Sequence, residues 1–65
     1  MHEVFKNQVK KILDSHTDNS FQCIMKEAIC FFDNGILSQD ELQAFYHVAQ
    51  VVNPISWAIF WRQNG

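Results

Sequence analysis

The run from Asn53 to Arg62, NPISWAIFWR, constrains this chain more than any other segment. Proline is favoured at the first position of a helix and asparagine is a good cap, so Asn53 and Pro54 predict a helix over 54–63. On it Ile55, Ala58 and Ile59 lie on one side, while Trp57, Phe60 and Trp61 spread over the other. Only Ser56, Arg62, Gln63 and Asn64 are polar. A helix that is apolar nearly all round must be covered on more than one side. It is therefore either the centre of a core or the contact surface for a partner.

Chain length sharpens that choice. Sixty-five residues make one domain, 1–65. A chain of this size hides only roughly 60% of its unfolded surface. Small domains offset this with disulfides, a metal, oligomerisation or very efficient packing. Hydrophobic residues make up 48% of the chain and aromatics 14%, which favours the last two routes. Two Gly and one Pro argue against disorder and against a loop-rich scaffold. Cys23 and Cys30 are seven residues apart on one expected helix. Their Cα atoms would be about 10 Å apart, too far for a disulfide within it. Free thiols that pack as small apolar groups in a reducing compartment are the expectation.

Three more helices precede the last. Phe5, Val9 and Ile12, with Val4 and Leu13 widening the stripe, predict the first over 2–14. Lys6, Lys10 and Lys11 lie away from the centre of that stripe. Turn formers at 15–20 follow, and Asp18, Asn19 or Ser20 can cap the second helix, over 20–33. Phe21, Ile24, Met25, Ala28 and Phe32 form its apolar face, with Cys23 and Cys30 opposite. Gly35 suits the left-handed residue that closes a helix. Ser38 and Glu41 then make a capping box that opens a third helix over 39–52. Leu42, Phe45, Ala49 and Val52 are its seam; Gln39, Gln43, His47 and Gln50 are its wet side.

Several chemistries can be weighed on these residues. The stretch 31–42 resembles the second half of an EF-hand calcium loop, with Gly35 at the turn and Glu41 as the bidentate ligand. The two leading ligand positions fall on Cys30 and Phe32, which cannot donate hard oxygens. A capped helix–turn–helix connection accounts for the same residues. His16, Cys23, Cys30 and His47 lack the short ligand pairs of a structural zinc site. A Cys–His nucleophile would have no oxyanion loop and no cleft, so no catalytic residue is expected. A DNA-reading third helix would open with Asp40 and Glu41 and carry no Lys or Arg, which repels phosphate. The net charge of −2, from five basic and seven acidic residues, gives no nucleic-acid footprint. No apolar run approaches the ~20 residues that span a bilayer, and the N-terminus lacks the pattern of a signal peptide. The chain reads as a complete small open reading frame made for the cytoplasm.

The expectation is an all-α fold of four short helices in a compact orthogonal or irregular bundle. The first two would pair as a hairpin, and the second and fourth would form its centre. The expected function is a cytoplasmic protein–protein interaction module, a regulator, adaptor or inhibitor of the kind bacteria and phages encode. Trp57, Phe60 and Trp61, with Tyr46 and Phe31, would fill pockets on a protein partner or a second copy, and Arg62 would set orientation. No cofactor, metal, membrane or small-molecule substrate is expected. One alternative is a dimeric nucleic-acid-associated regulator that pools Lys6, Lys10 and Lys11. Another is an EF-hand-like module without metal.

Overall fold

The computed structural model describes residues 2–64. Four helices account for most of them: α1 (His2–Leu13), α2 (Asp18–Asp33), α3 (Gln39–Val52) and α4 (Pro54–Asn64). No strand occurs among the described residues, so the fold is all-α. The radius of gyration is 10.8 Å. That matches the ~10.7 Å of a well-packed globule of this length.

Local chemistry sets each boundary. Thr17, in an extended conformation, caps α2 by accepting the Ser20 N–H on Oγ1 at 3.1 Å. The cap thus lies one residue before the expected Asp18, Asn19 or Ser20, and α2 starts two residues earlier. Asp18 instead occupies the first turn, where a carboxylate meets the positive end of the helix dipole. The end of α2 is a Schellman closure: Ile36 N–H donates to the Phe31 carbonyl at 2.8 Å and Gly35 N–H to the Phe32 carbonyl at 3.0 Å. Gly35 has φ 75°, which a side chain would disfavour. This closure folds the chain back and seats Leu37 in the core. Ser38 and Glu41 form the expected capping box, with bonds of 2.9 and 3.1 Å in the two directions. Asn53 caps α4, its Oδ1 accepting the Ser56 N–H at 3.1 Å.

The core comes mainly from α2 and α3. Phe21, Met25 and Ala28 meet Leu42, Phe45 and Ala49, with Ile12 of α1, Leu37 and Phe60 of α4 closing the cluster. Each large side chain buried this way contributes roughly 1.5–3 kcal/mol. The expected centre of α2 and α4 is therefore replaced by α2 and α3, because α4 inserts only one large side chain. The first two helices do touch, yet α1 packs most extensively on α3. Among the described residues α1 and α4 make no contact, so they flank the core from different sides. Phe32 ends up exposed although it lies on the apolar face of α2, since that last turn runs past the core that Leu37 fills.

Candidate interaction surfaces

Polarity alone sets no rotation for α4, and the rotation it takes puts a polar residue inside beside an exposed large apolar one. Ser56 is 2% exposed while the neighbouring Ile55 is 74% exposed. A polar knot accounts for it. Gln22 Nε2 donates to the Ser56 carbonyl at 2.9 Å and to Asp18 Oδ1 at 3.0 Å. The bond from Gln22 first, and the Ser56 hydroxyl second, hold the Asp18 carboxyl below the usual carboxylate range. The small Ser56 lets α4 approach α2, and the knot faces it inward. Pro54, Ile55, Ala58 and Arg62 consequently turn to solvent along one side of the helix. Val51, near the end of α3, is also largely exposed.

The aromatic residues divide into two groups. Phe60 is 2% exposed and belongs to the core, so it is not a surface group. Phe31 is half-buried against the core, away from the aromatic contacts of α4. Tyr46, Trp57 and Trp61 form a closed triangle. Tyr46 meets Trp57 at 5.4 Å and Trp61 at 5.5 Å between ring centroids, and the two indoles are 5.4 Å apart. All three contacts are edge-to-face, the arrangement that aligns the positive edge of one ring with the negative face of the next. Phe60 supports Trp61 from below at 5.0 Å. Trp61 still shows 37% of its surface. Burial, aided by the Asp33 carboxylate, raises the Tyr46 phenol above its usual range. Of the six residues expected at a partner surface, the structure unites Tyr46, Trp57 and Trp61, leaves Arg62 exposed beside them in sequence, and withdraws Phe60. Ile55 and Val51 are the most exposed large apolar groups, and neither was in the expected partner surface. Val51 sits in the last turn of α3 and Ile55 in the first turn of α4, each two residues from the cap Asn53.

A second surface lies on α1. Phe5, Val9 and Leu13 face Ala44 and Val48 of α3 across an open groove of about 390 Å³, and Lys6 and Lys10 border it. The expected lysine patch is split. Lys11 points to the other flank of α1 and pairs with Glu27 of α2 at 2.9 Å. That contact, chiefly through its hydrogen bond, holds Glu27 below its usual range. Gln8 is buried, although its Nε2 completes no hydrogen bond.

The remaining sequence candidates are placed as follows. Cys23 and Cys30 are free and exposed, not packed as apolar groups, because they lie opposite the buried face of α2. The Glu41 carboxylate reaches back to the Ser38 N–H, the capping role rather than an outward ligand position. Among the described residues no group of three or more His, Cys, Asp or Glu is placed to hold a metal ion. No described helix is long and apolar enough to cross a membrane. Comparison of the chain with protein-family models, with curated proteins and with solved structures returned no match.

Proposed function

We propose that this protein is a small interaction module, a regulator, adaptor or inhibitor, that docks on a partner protein through the outer side of α4. The observation that carries the reading is the placement of Ser56 inside and Ile55 outside on that helix. Ile55, Ala58 and Arg62 recur at i, i+3 and i+7, the spacing of a helix face laid against another surface. Trp61 borders that face and is held in place by three neighbouring rings. A pre-ordered indole loses little side-chain freedom on association, and Trp and Arg are the residue types that dominate hot spots. The cytoplasm is the compartment in which two exposed free thiols are most readily kept reduced.

The nucleic-acid alternative finds less support, since Lys11 is engaged by Glu27 and only Lys6 and Lys10 remain together. The test is site-specific photocrosslinking in cells that express the chain. A crosslinking residue at position 55 should trap a discrete partner, and the same residue at Gln43, on the wet side of α3, should not. Equal trapping at both positions, or none at 55, would refute the α4 surface. Trapping of a second copy from position 55 would identify the partner as the chain itself.

A further inference from the structure

We propose that the open groove between α1 and α3 is a second docking site, whose occupant is an amphipathic α-helix of a partner protein with Asp or Glu along the border of its apolar stripe. Phe5, Val9 and Leu13 recur at i, i+4 and i+8 on one wall, and Ala44 and Val48 at i and i+4 on the other. Ridges at this spacing receive the side-chain rows of a helix. The wall from Phe5 to Leu13 runs about 12 Å at 1.5 Å per residue, so it accommodates apolar groups over two turns of the incoming helix. Ala44 is small and exposed, which lets the occupant's backbone come close. The groove stays vacant within the fold because α4 packs on α2 and α3 and never reaches α1.

Charge selects the occupant. Lys6 and Lys10 stand one turn apart on the rim, and neither has a carboxylate partner among the described residues. Two unpaired ammonium groups beside an apolar floor complement carboxylates flanking an apolar stripe. The same pair disfavours a second copy on this surface. A two-fold interface sets each patch against itself, so Lys6 and Lys10 would face their equivalents. An open trough also fails to enclose a small amphiphile on most sides, as small-ligand sites do. A helix needs no enclosure, because its backbone hydrogen bonds are already satisfied. This site is separate from the α4 surface and does not depend on it.

The test is selection of a displayed library of helical peptides about 16 residues long on the full-length chain. Apolar residues are held at i, i+3, i+4 and i+7, and all other positions are randomised. Enriched peptides should carry Asp or Glu beside the stripe. Their affinity, read by fluorescence anisotropy, should fall roughly tenfold in the Lys6→Glu/Lys10→Glu double variant and weaken with added salt. Ala44→Gln, which fills the groove from an exposed position, should weaken binding without changing the circular dichroism. Ile55→Glu should leave it unchanged, which separates this site from the α4 surface. No enrichment, enrichment without acidic flanks, or affinity insensitive to the lysine and Ala44 variants would each overturn the proposal. So would self-association abolished by Ala44→Gln, or tight binding of dodecanoate or duplex DNA that the lysine variant removes.

Discussion

Gln22 of α2 donates from Nε2 to the backbone carbonyl of Ser56 in α4 at 2.9 Å. The two residues are 34 apart in sequence, and Ser56 is nearly inaccessible. Together with the contact between the Ser56 hydroxyl and the Asp18 carboxylate, this bond links the two helices through polar groups. It orients α4 about its own axis, and that orientation decides which of its side chains meet solvent. Gln22→Ala should therefore lower the stability of the fold by about 1–2 kcal/mol, the loss of one partly buried and one exposed hydrogen bond. Urea unfolding followed by circular dichroism would measure it. An unchanged midpoint would mean that packing around Phe60 alone orients α4.

Ile55 and Trp61 should separate association from folding. Ile55 is mostly exposed and stands in the first turn of α4, where a carboxylate suits the dipole. Ile55→Glu should change stability by less than about 0.5 kcal/mol and reduce partner binding at least tenfold. Trp61→Ala removes three edge-to-face contacts as well as an exposed indole. It should weaken binding too, but at a cost of about 1–2 kcal/mol of stability. Thermal unfolding and sedimentation on the two variants would establish the difference. A strongly destabilised Ile55→Glu protein would make that side of α4 part of the core.

The ends of α3 were legible because strong local chemistry marks both. Ser38 and Glu41 cap one another across one turn, and Asn53 followed by Pro54 stops the helix and starts the next. Four helices and the all-α class followed from the same kind of short-range signal. The aromatic triangle was legible only in composition. Helical spacing put Trp57 and Trp61 close together, but Tyr46 joins them through the angle between α3 and α4. The inward Ser56 was not legible, since its partner Gln22 lies far away in sequence. The groove was hidden for a related reason. Periodicity showed the stripe of α1, yet not that α3 would cover only one edge of it and leave Leu13 exposed. The same edge-on packing sent Lys11 one way and Lys6 and Lys10 the other.

Gly35 offers a test of the α2–α3 connection. Its φ is 75°, and a Cβ placed there would meet nothing within 4 Å. Any penalty for Gly35→Ala is thus conformational rather than steric, and about 1 kcal/mol is expected. For a domain of this size that corresponds to a fall in Tm of about 4–8 °C. Gly35→Asn should recover part of the loss, because asparagine tolerates the left-handed region better than alanine. Equal melting of the alanine variant and the natural chain would indicate that the turn relaxes without displacing Leu37 from the core.

Tyr46 sets the behaviour of the fold in alkali. Burial among the rings, with the Asp33 carboxylate adding to it, raises the phenol above its ordinary value of 10.0. The folded state therefore prefers the protonated phenol. Its contribution is fully present below pH 10 and is lost as the pH rises through the elevated folded value, where a phenolate would have to sit against two indoles. Tyr46 is the only tyrosine in the chain. The natural protein should thus lose stability more steeply above pH 10 than Tyr46→Phe, which keeps the ring and removes the titrating hydroxyl. Lysine and cysteine titrations are common to both chains and cancel in the comparison. Urea midpoints taken from pH 8 to pH 11, beside an absorbance titration of the phenol, would resolve the difference. Parallel curves for the two proteins would mean that the hydroxyl already stands in water and that the triangle buries only the ring.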